Sequence, residues 1–346
     1  MHKNLIFFRA DGGYLIGLGH IYRCIALIEI LSEKFRCIFI LVKPDKKVKD
    51  IVESKCEILL INADNISEEL VKLKHLLPTG SILVLDGYEF DLNYQTKVKA
   101  LKNIKLVCID DNKGGEFFSD VVINHGEISA IPPYNLNGDA ILCDGYKYLM
   151  LRREFVDAVK VYRREIQKVR STIICIGGTD PYNISEKLLH ACNNSNFFEE
   201  IHLIYGGNKN VEDWLVSCEK SICAVQSKIT FHKDLSSQEI VKLIRATELL
   251  FCTASTIALE AACVKTGLIC GMVVDNQRAI YDQLVNSGCC IGIGRWQDIT
   301  QKEITKLILD VCLPSRINHL IKFQEANIDG NSKERLMSVF VRLINI

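Results

Sequence analysis

LIFFRADGGYLIGLGHIYRCIALIEILSEKFRCIFILV, residues 5–42, holds two apolar runs, a glycine-rich junction and an amphipathic stretch in one segment. The runs LIFFRA (5–10) and CIFILV (37–42) are continuous, as expected of strands covered on both faces in a parallel sheet. Between them IYRCIALIEILSEKF carries apolar residues at helical spacing. Strand, helix and strand in that order make a βαβ unit.

The alternation continues outward. EILLI (57–61), SILVLD (81–86), KLVCID (105–110) and DVVIN (120–124) read as strands, with SEELVKLKHLL and YQTKVKALKN as helices among them. It pauses at YKYLMLRREFVDAVKVYRREIQKVR (146–170), which reads as a long basic helix connecting two domains. It restarts with STIICIGG, EIHLIYGG, KITFH, ELLFCTA and GLICGMVV, again with helices interposed. The expected fold is α/β, with two Rossmann-like doubly wound domains facing a cleft. One covers residues 1–150 and the other 151–346. The last stretch, SKERLMSVFVRLI, is a candidate to pack back on the N-terminal half.

Composition fits this reading. The 346 residues carry 42 Lys+Arg against 42 Asp+Glu, with 48% apolar and 24% charged residues. Those values exclude disorder as the main state, and zero net charge supplies no field for nucleic acid. A chain of this length outgrows one core, which favours two domains. The 15 cysteines lie scattered in apolar runs without a single CxxC pair, so they read as buried thiols and not as zinc or redox motifs. Arg9 and Asp11 interrupt the first apolar run, so no export signal is expected and a reducing cytosol is the expected compartment. No apolar run reaches membrane-spanning length.

Chemistry-bearing residues gather where strands end. Asp11, Gly12, Gly13, Gly17, Gly19 and His20 follow the first strand, and the glycines allow a tight turn with close backbone approach to a ligand. The spacing is not GxGxxG, so no dinucleotide fingerprint is supported. His20 at a helix start would be held neutral by the positive dipole end, suited to a general base. A glycine-rich loop with a capping histidine explains the same residues equally well. Asp86 and Tyr88, Asp110 and Asp111, and Asn124 close three further strands and could grip sugar hydroxyls and amides; helix capping is the plainer account of each. In the second half Gly177, Gly178, Thr179, Asp180 and Pro181 suggest a phosphate-binding turn, with Pro181 in a first helical turn. Ser255 and Thr256 can donate to phosphate oxygens, and Glu260 can accept ribose hydroxyls, unless it is simply an exposed helix carboxylate. Asn276 and Gln277 could reach the sugar or the pyrophosphate.

Together, RADGG-x-x-IG-x-GH-x-x-RC, D-x-Y, the LR-x-EF at Leu151 to Phe155, GGTDP and S-x-x-ALEA followed by NQ resemble the nucleotide-sugar hydrolases of pseudaminic acid biosynthesis. The resemblance runs from Arg9 to about Gln277 and is most specific in the N-terminal motif. It implies hydrolysis of UDP-2,4-diacetamido-2,4,6-trideoxy-β-L-altropyranose, with His20 catalytic, Tyr88 in the active site, and Asp11 and the glycine turn lining the sugar site. It further implies that Gly178, Thr179, Ser255, Thr256 and Glu260 hold UDP, as in the UDP-N-acetylglucosamine transferase that makes the peptidoglycan lipid precursor. No cofactor and no metal are implied, because helix termini can stabilise the departing pyrophosphate. Competing readings are a glycosyltransferase of the same fold and an inert UDP-sugar-binding module. Oligomeric state stays open.

Overall fold

A computed structural model describes residues 4–13, 17–101, 103–111, 114–126, 134–177, 180–205 and 227–344. The chain divides into two compact units, Met1–Arg153 with Asn331–Ile346, and Glu154–Gly330.

In the first unit the strands are β1 (Leu5–Ala10), β2 (Arg36–Val42), β3 (Glu57–Ile61), β4 (Ile82–Asp86), β5 (Lys105–Ile109), β6 (Glu116–Phe117), β7 (Val121–Asn124), β8 (Asn135–Leu136) and β9 (Ile141–Asp144). Among the described residues seven of them form one sheet in the order β3-β2-β1-β4-β5-β7-β9, while β6 and β8 pair separately. The helices between them are α1 (Gly19–Leu31), α2 (Lys46–Glu53), α3 (Ile66–Leu76) and α4 (Leu92–Lys99). Successive strand residues point to opposite faces, and both faces are covered, which is why the strands are apolar throughout. One face packs Phe8, Phe39 and Val84 against Ile21 and Leu27 of α1 and Phe340 of the helix Ser332–Ile344. The other packs Phe7, Ile40 and Leu83 against Leu73 and Tyr94. Each such side chain contributes roughly 1.5–3 kcal/mol of transfer free energy.

The strand order reverses between β1 and β4, the point at which open α/β sheets leave a crevice at their carboxyl ends. Register places Ala10 beside Asp86, and Asp86 beside Ile109. The residues that follow β1, β4 and β5 therefore start from one edge at one level.

The second unit contains β10 (Ser171–Cys175), β11 (Glu200–Tyr205), β12 (Lys228–Lys233), β13 (Leu249–Thr253), β14 (Gly267–Met272) and β15 (Ile291–Arg295). Among the described residues they form a parallel sheet ordered β12-β11-β10-β13-β14-β15, reversing between β10 and β13. The strands β9 and β15 go beyond the sequence reading. IGIGR alternates glycine with its apolar residues and so lacks the continuous run that marks the other strands.

Two local expectations are corrected. Residues 146–170 are not one long helix, for the helix spans only Arg153–Val159. Beyond it the backbone is claimed by other partners. Asn318 accepts from the Ile166 amide at 2.9 Å and donates to its carbonyl at 2.8 Å. The Arg163 guanidinium meanwhile donates to the carbonyls of Ile244 and Thr247. Tertiary contacts override the helical propensity. Likewise the helix expected to begin at Pro181 begins at Ile184. Asp180 folds onto that terminus and accepts from the amides of Ile184 and Ser185, both at 2.8 Å.

Among the described residues no helix is long and apolar enough to cross a membrane. Among them also, no cysteine is disulfide-bonded and most are buried.

Candidate active site

The site is built around a buried carboxylate. Asp86, the last residue of β4, is fully buried and accepts from His20 Nδ1 at 2.7 Å. Arg23 grips the same carboxylate twice, Nη2 to Oδ1 at 2.5 Å and Nε to Oδ2 at 2.8 Å. A third guanidinium nitrogen, Nη1, reaches Asp111 Oδ2 at 2.9 Å. His20 and Arg23 stand three residues apart on α1 and so share a helix face. One turn of helix thus presents an imidazole and a guanidinium to two strand-end carboxylates.

Protonation follows from this geometry. Burial disfavours the Asp86 anion, but the Arg23 charge and hydrogen bonds prevail and hold it down to about 2. An ionised oxygen 2.7 Å from Nδ1 requires a proton on that nitrogen, since two acceptors would repel. Arg23 Nη2, 3.1 Å from the same nitrogen, is therefore directed to Asp86 and not to the ring. Nε2 is the ring nitrogen left to take a proton. The His20 pKa is raised: burial opposes the charge, but the hydrogen bond and charge of Asp86 outweigh it. The helix dipole expected to keep the ring neutral is thus not the dominant influence. Nor is His20 a cap, because α1 has no side-chain capping bond.

Tyr88 packs edge-to-face on His20, centroids 5.0 Å apart and planes at 83°, and the residue is 47% exposed. His20, Asp86, Tyr88, Asp110 and Asp111 line one cavity of about 180 Å³ with Phe117 on its wall. Asp11 is not among its lining residues. It accepts a bidentate pair from Arg9 at 2.6 and 2.8 Å, while Arg9 also bonds Glu69 at 2.7 Å.

The glycine-rich loop closes on itself. Gly13 and Gly17 exchange backbone hydrogen bonds of 3.0 and 2.8 Å, and Gly17 adopts φ +85°. A Cβ at Gly12 would lie 2.5 Å from Ile21 Cγ1 of α1, so this residue lets the loop sit against the helix. Gly19 opens α1.

Two residues expected to meet substrate are engaged internally. Both oxygens of Asp86 are taken by Arg23 and His20. Asn124 is fully buried, its Nδ2 donating to the Tyr134 hydroxyl at 3.0 Å and its Oδ1 accepting from the Gly126 amide at 2.7 Å. The Tyr134 hydroxyl itself donates to Asp110 Oδ2 at 2.7 Å. Next to Asn124, His125 is 1% exposed, and burial above all, then the Arg23 charge, lowers its pKa to about 3. The sequence motif GH-x-x-RC contains Arg23, three residues after His20, but did not single it out as a site residue.

In the second unit Gly178 and Thr179 lie outside the described residues, and Gly177 adopts φ +112°. The amides of Ile184 and Ser185, which a phosphate would use, are already bonded to Asp180. After β13 the arrangement differs. Ser255 opens the helix Thr256–Val264 with no side-chain capping bond, its hydroxyl 3.0 Å from that of Thr253. Glu260 is 2% exposed, so it is not the exposed helix carboxylate of the plainer account. Asn276 is exposed, while Gln277 Oε1 accepts from the Val273 amide at 2.7 Å.

Two α/β units, each on a parallel sheet with a strand-order reversal, define a GT-B-type fold. The MurG structure of Acinetobacter baumannii superposes with a TM-score of 0.69 at 11% identity, covering 98% of this chain and 99% of that one. A UDP co-structure of S. aureus MnaA gives 0.64 at 10% identity, covering 99% and 98%. No protein-family model matches the chain. Among curated proteins, it is 21% identical over 294 residues to the UDP-2,4-diacetamido-2,4,6-trideoxy-beta-L-altropyranose hydrolase of Campylobacter jejuni, covering 82% of this chain and 97% of that protein. The spore coat polysaccharide biosynthesis protein SpsG of Bacillus subtilis is also 21% identical, with 82% of each chain covered. An uncharacterised protein of Methanocaldococcus jannaschii is 23% identical over 79% of this chain, which spans only 56% of that relative. The chain is a distant relative of these three curated proteins.

Proposed function

We propose that the protein hydrolyses a UDP-linked 2,4-diacetamido-2,4,6-trideoxy sugar at its anomeric carbon–oxygen bond, releasing UDP and the free sugar with inversion. The observation that carries this reading is the His20–Asp86 pair, a base nitrogen oriented by a buried anion at the wall of a cavity. The relationship to the Campylobacter hydrolase supports it.

In this mechanism His20 Nε2 accepts a proton from water as the water oxygen bonds to the anomeric carbon. The bond from that carbon to the UDP oxygen breaks, and its electron pair leaves with UDP. Asp86 fixes the imidazole and stabilises the imidazolium that forms, and Arg23 keeps Asp86 ionised. Both are positioning residues. Tyr88, on the cavity wall, is assigned to the sugar, and Asp11 and the glycine loop, outside that wall, are assigned to it from the resemblance alone. Ser255, Thr256 and the first amides of their helix are assigned to the diphosphate, with Glu260 on the ribose.

The ribose assignment has its own test. Glu260→Ala should weaken UDP binding by roughly 1–3 kcal/mol, the cost of leaving a hydrogen-bonding group without its partner. Calorimetry with unchanged UDP affinity would remove Glu260 from the nucleotide site.

Purified protein incubated with a panel of UDP-sugars and no acceptor tests the reaction itself. UDP release from a 2,4-diacetamido-2,4,6-trideoxy sugar nucleotide is the expected result. Release only after an acceptor alcohol is added would make the protein a transferase, and binding without any release would make it a UDP-sugar-binding module.

A further inference from the structure

The opposite edge of the second unit carries a cationic groove that the hydrolytic reading does not use. It has a volume of about 590 Å³ and is lined by residues 162–168, Arg170, Arg245 and Glu248. These residues precede β10 and β13, so the groove lies at the amino ends of strands whose carboxyl ends lead to Gly177 and Ser255.

Its lining sets Arg163, Arg164, Lys168, Arg170 and Arg245 against two carboxylates, Glu165 and Glu248. Arg163 is largely buried, and its guanidinium donates to the neutral carbonyls of Ile244 and Thr247. Burial lowers its pKa to about 10; Glu248 counteracts this and Arg245 adds to it. The Glu248 carboxylate is already engaged, Oε2 accepting from the Arg170 amide at 3.0 Å, the Ser171 amide at 2.8 Å and the Ser171 hydroxyl at 2.9 Å. Arg245 donates through Nη2 to the Tyr162 carbonyl at 3.1 Å, while its Nη1 is buried without a hydrogen-bond partner. Arg164 is exposed at the same groove, as is Tyr162 at 75%. Lys168 and Arg170 face Glu199 at 2.9 and 3.8 Å.

Partly buried like charges with an unmet donor are costly unless an anion joins them. Guanidinium groups match the oxygens of phosphate in geometry as well as charge. We propose that this groove binds a phosphate-bearing anion through Arg163, Arg164 and Arg245. Its volume falls in the range of small-molecule sites. The assignment is independent of the hydrolytic reaction.

Pyrophosphate is the probe, titrated calorimetrically with UDP present to mask any other phosphate site. The wild type should bind it, and Arg164→Gln with Arg245→Gln should weaken binding at least tenfold while acceptor-free UDP release and the unfolding midpoint stay unchanged. If the double variant is unstable, Arg164→Gln alone, at an exposed position, should still weaken binding several-fold. Sedimentation with phosphatidylglycerol and with phosphatidylcholine vesicles identifies the source. Binding to the anionic vesicles alone, abolished in the variant, makes the anion a lipid headgroup, and pyrophosphate binding without vesicle binding makes it a soluble phosphate. No pyrophosphate binding by the wild type, or equal affinity in wild type and variants, overturns the proposal.

Discussion

Replacing His20 with asparagine should lower turnover by roughly 10²–10⁴-fold, the contribution of a positioned general base. Asparagine can still donate a hydrogen bond to Asp86, so the buried carboxylate keeps a partner and the fold should survive. It has no nitrogen basic enough to take a proton from water. UDP affinity should be unchanged, because the residues assigned to the nucleotide belong to the other compact unit. Steady-state turnover and UDP calorimetry on the same preparation separate the two effects. Near-normal turnover would remove His20 from the mechanism.

Asp86→Asn should be damaging in two ways. An amide no longer forces the proton onto Nδ1, and in serine proteases the corresponding change lowers turnover by about 10⁴-fold through the wrong tautomer. A loss of roughly 10³–10⁴-fold is expected here by the same reasoning. The pH profile should move as well. His20 acts as a base only when neutral, and its pKa is raised chiefly by Asp86 against the opposing effect of burial. The wild-type rate should therefore rise through an acid limb above the usual histidine value of about 6.5, and the variant's limb should shift downward.

Stability responds with definite signs. The Asp86 pKa, depressed to about 2, contributes stability above the unfolded carboxylate value that is lost as pH falls toward 2. The raised His20 value contributes stability below its unfolded pKa that is lost as pH rises through the folded one. Removing the Asp86 charge leaves Arg23, buried, with Asp111 as its remaining carboxylate, at a cost of roughly 3–5 kcal/mol. Denaturant unfolding of both proteins across pH measures this. An unshifted acid limb with unchanged stability would contradict the roles given to Asp86 and Arg23.

Sequence alone made the strands legible because continuous apolar runs follow directly from burial on both sheet faces, as in Phe7 and Phe8, which enter different cores. It also grouped His20, Asp86, Tyr88, Asp110 and Asp111, since strand ends in a parallel sheet converge on one edge. What it could not give was which strand-end groups remain available to a ligand. Asp86, Asn124 and Asp180 are all short polar residues after strands, and each is bonded to the protein itself. That outcome depends on Arg23, Tyr134 and the amides of Ile184 and Ser185, partners set by three-dimensional packing. The extended course after Val159 was hidden for the same reason, because Asn318, 152 residues away from Ile166, is what holds it.

The central claim is that water attacks the anomeric carbon and not phosphorus. Reaction in oxygen-18 water, with the products separated and weighed by mass spectrometry, tests it most directly. The account predicts one heavy oxygen in the released sugar, none in UDP, and a first-formed anomer inverted relative to the substrate. Label in the UDP phosphate would contradict it, and the base role of His20 and the nucleotide role of Ser255, Thr256 and Glu260 would have to be reassigned.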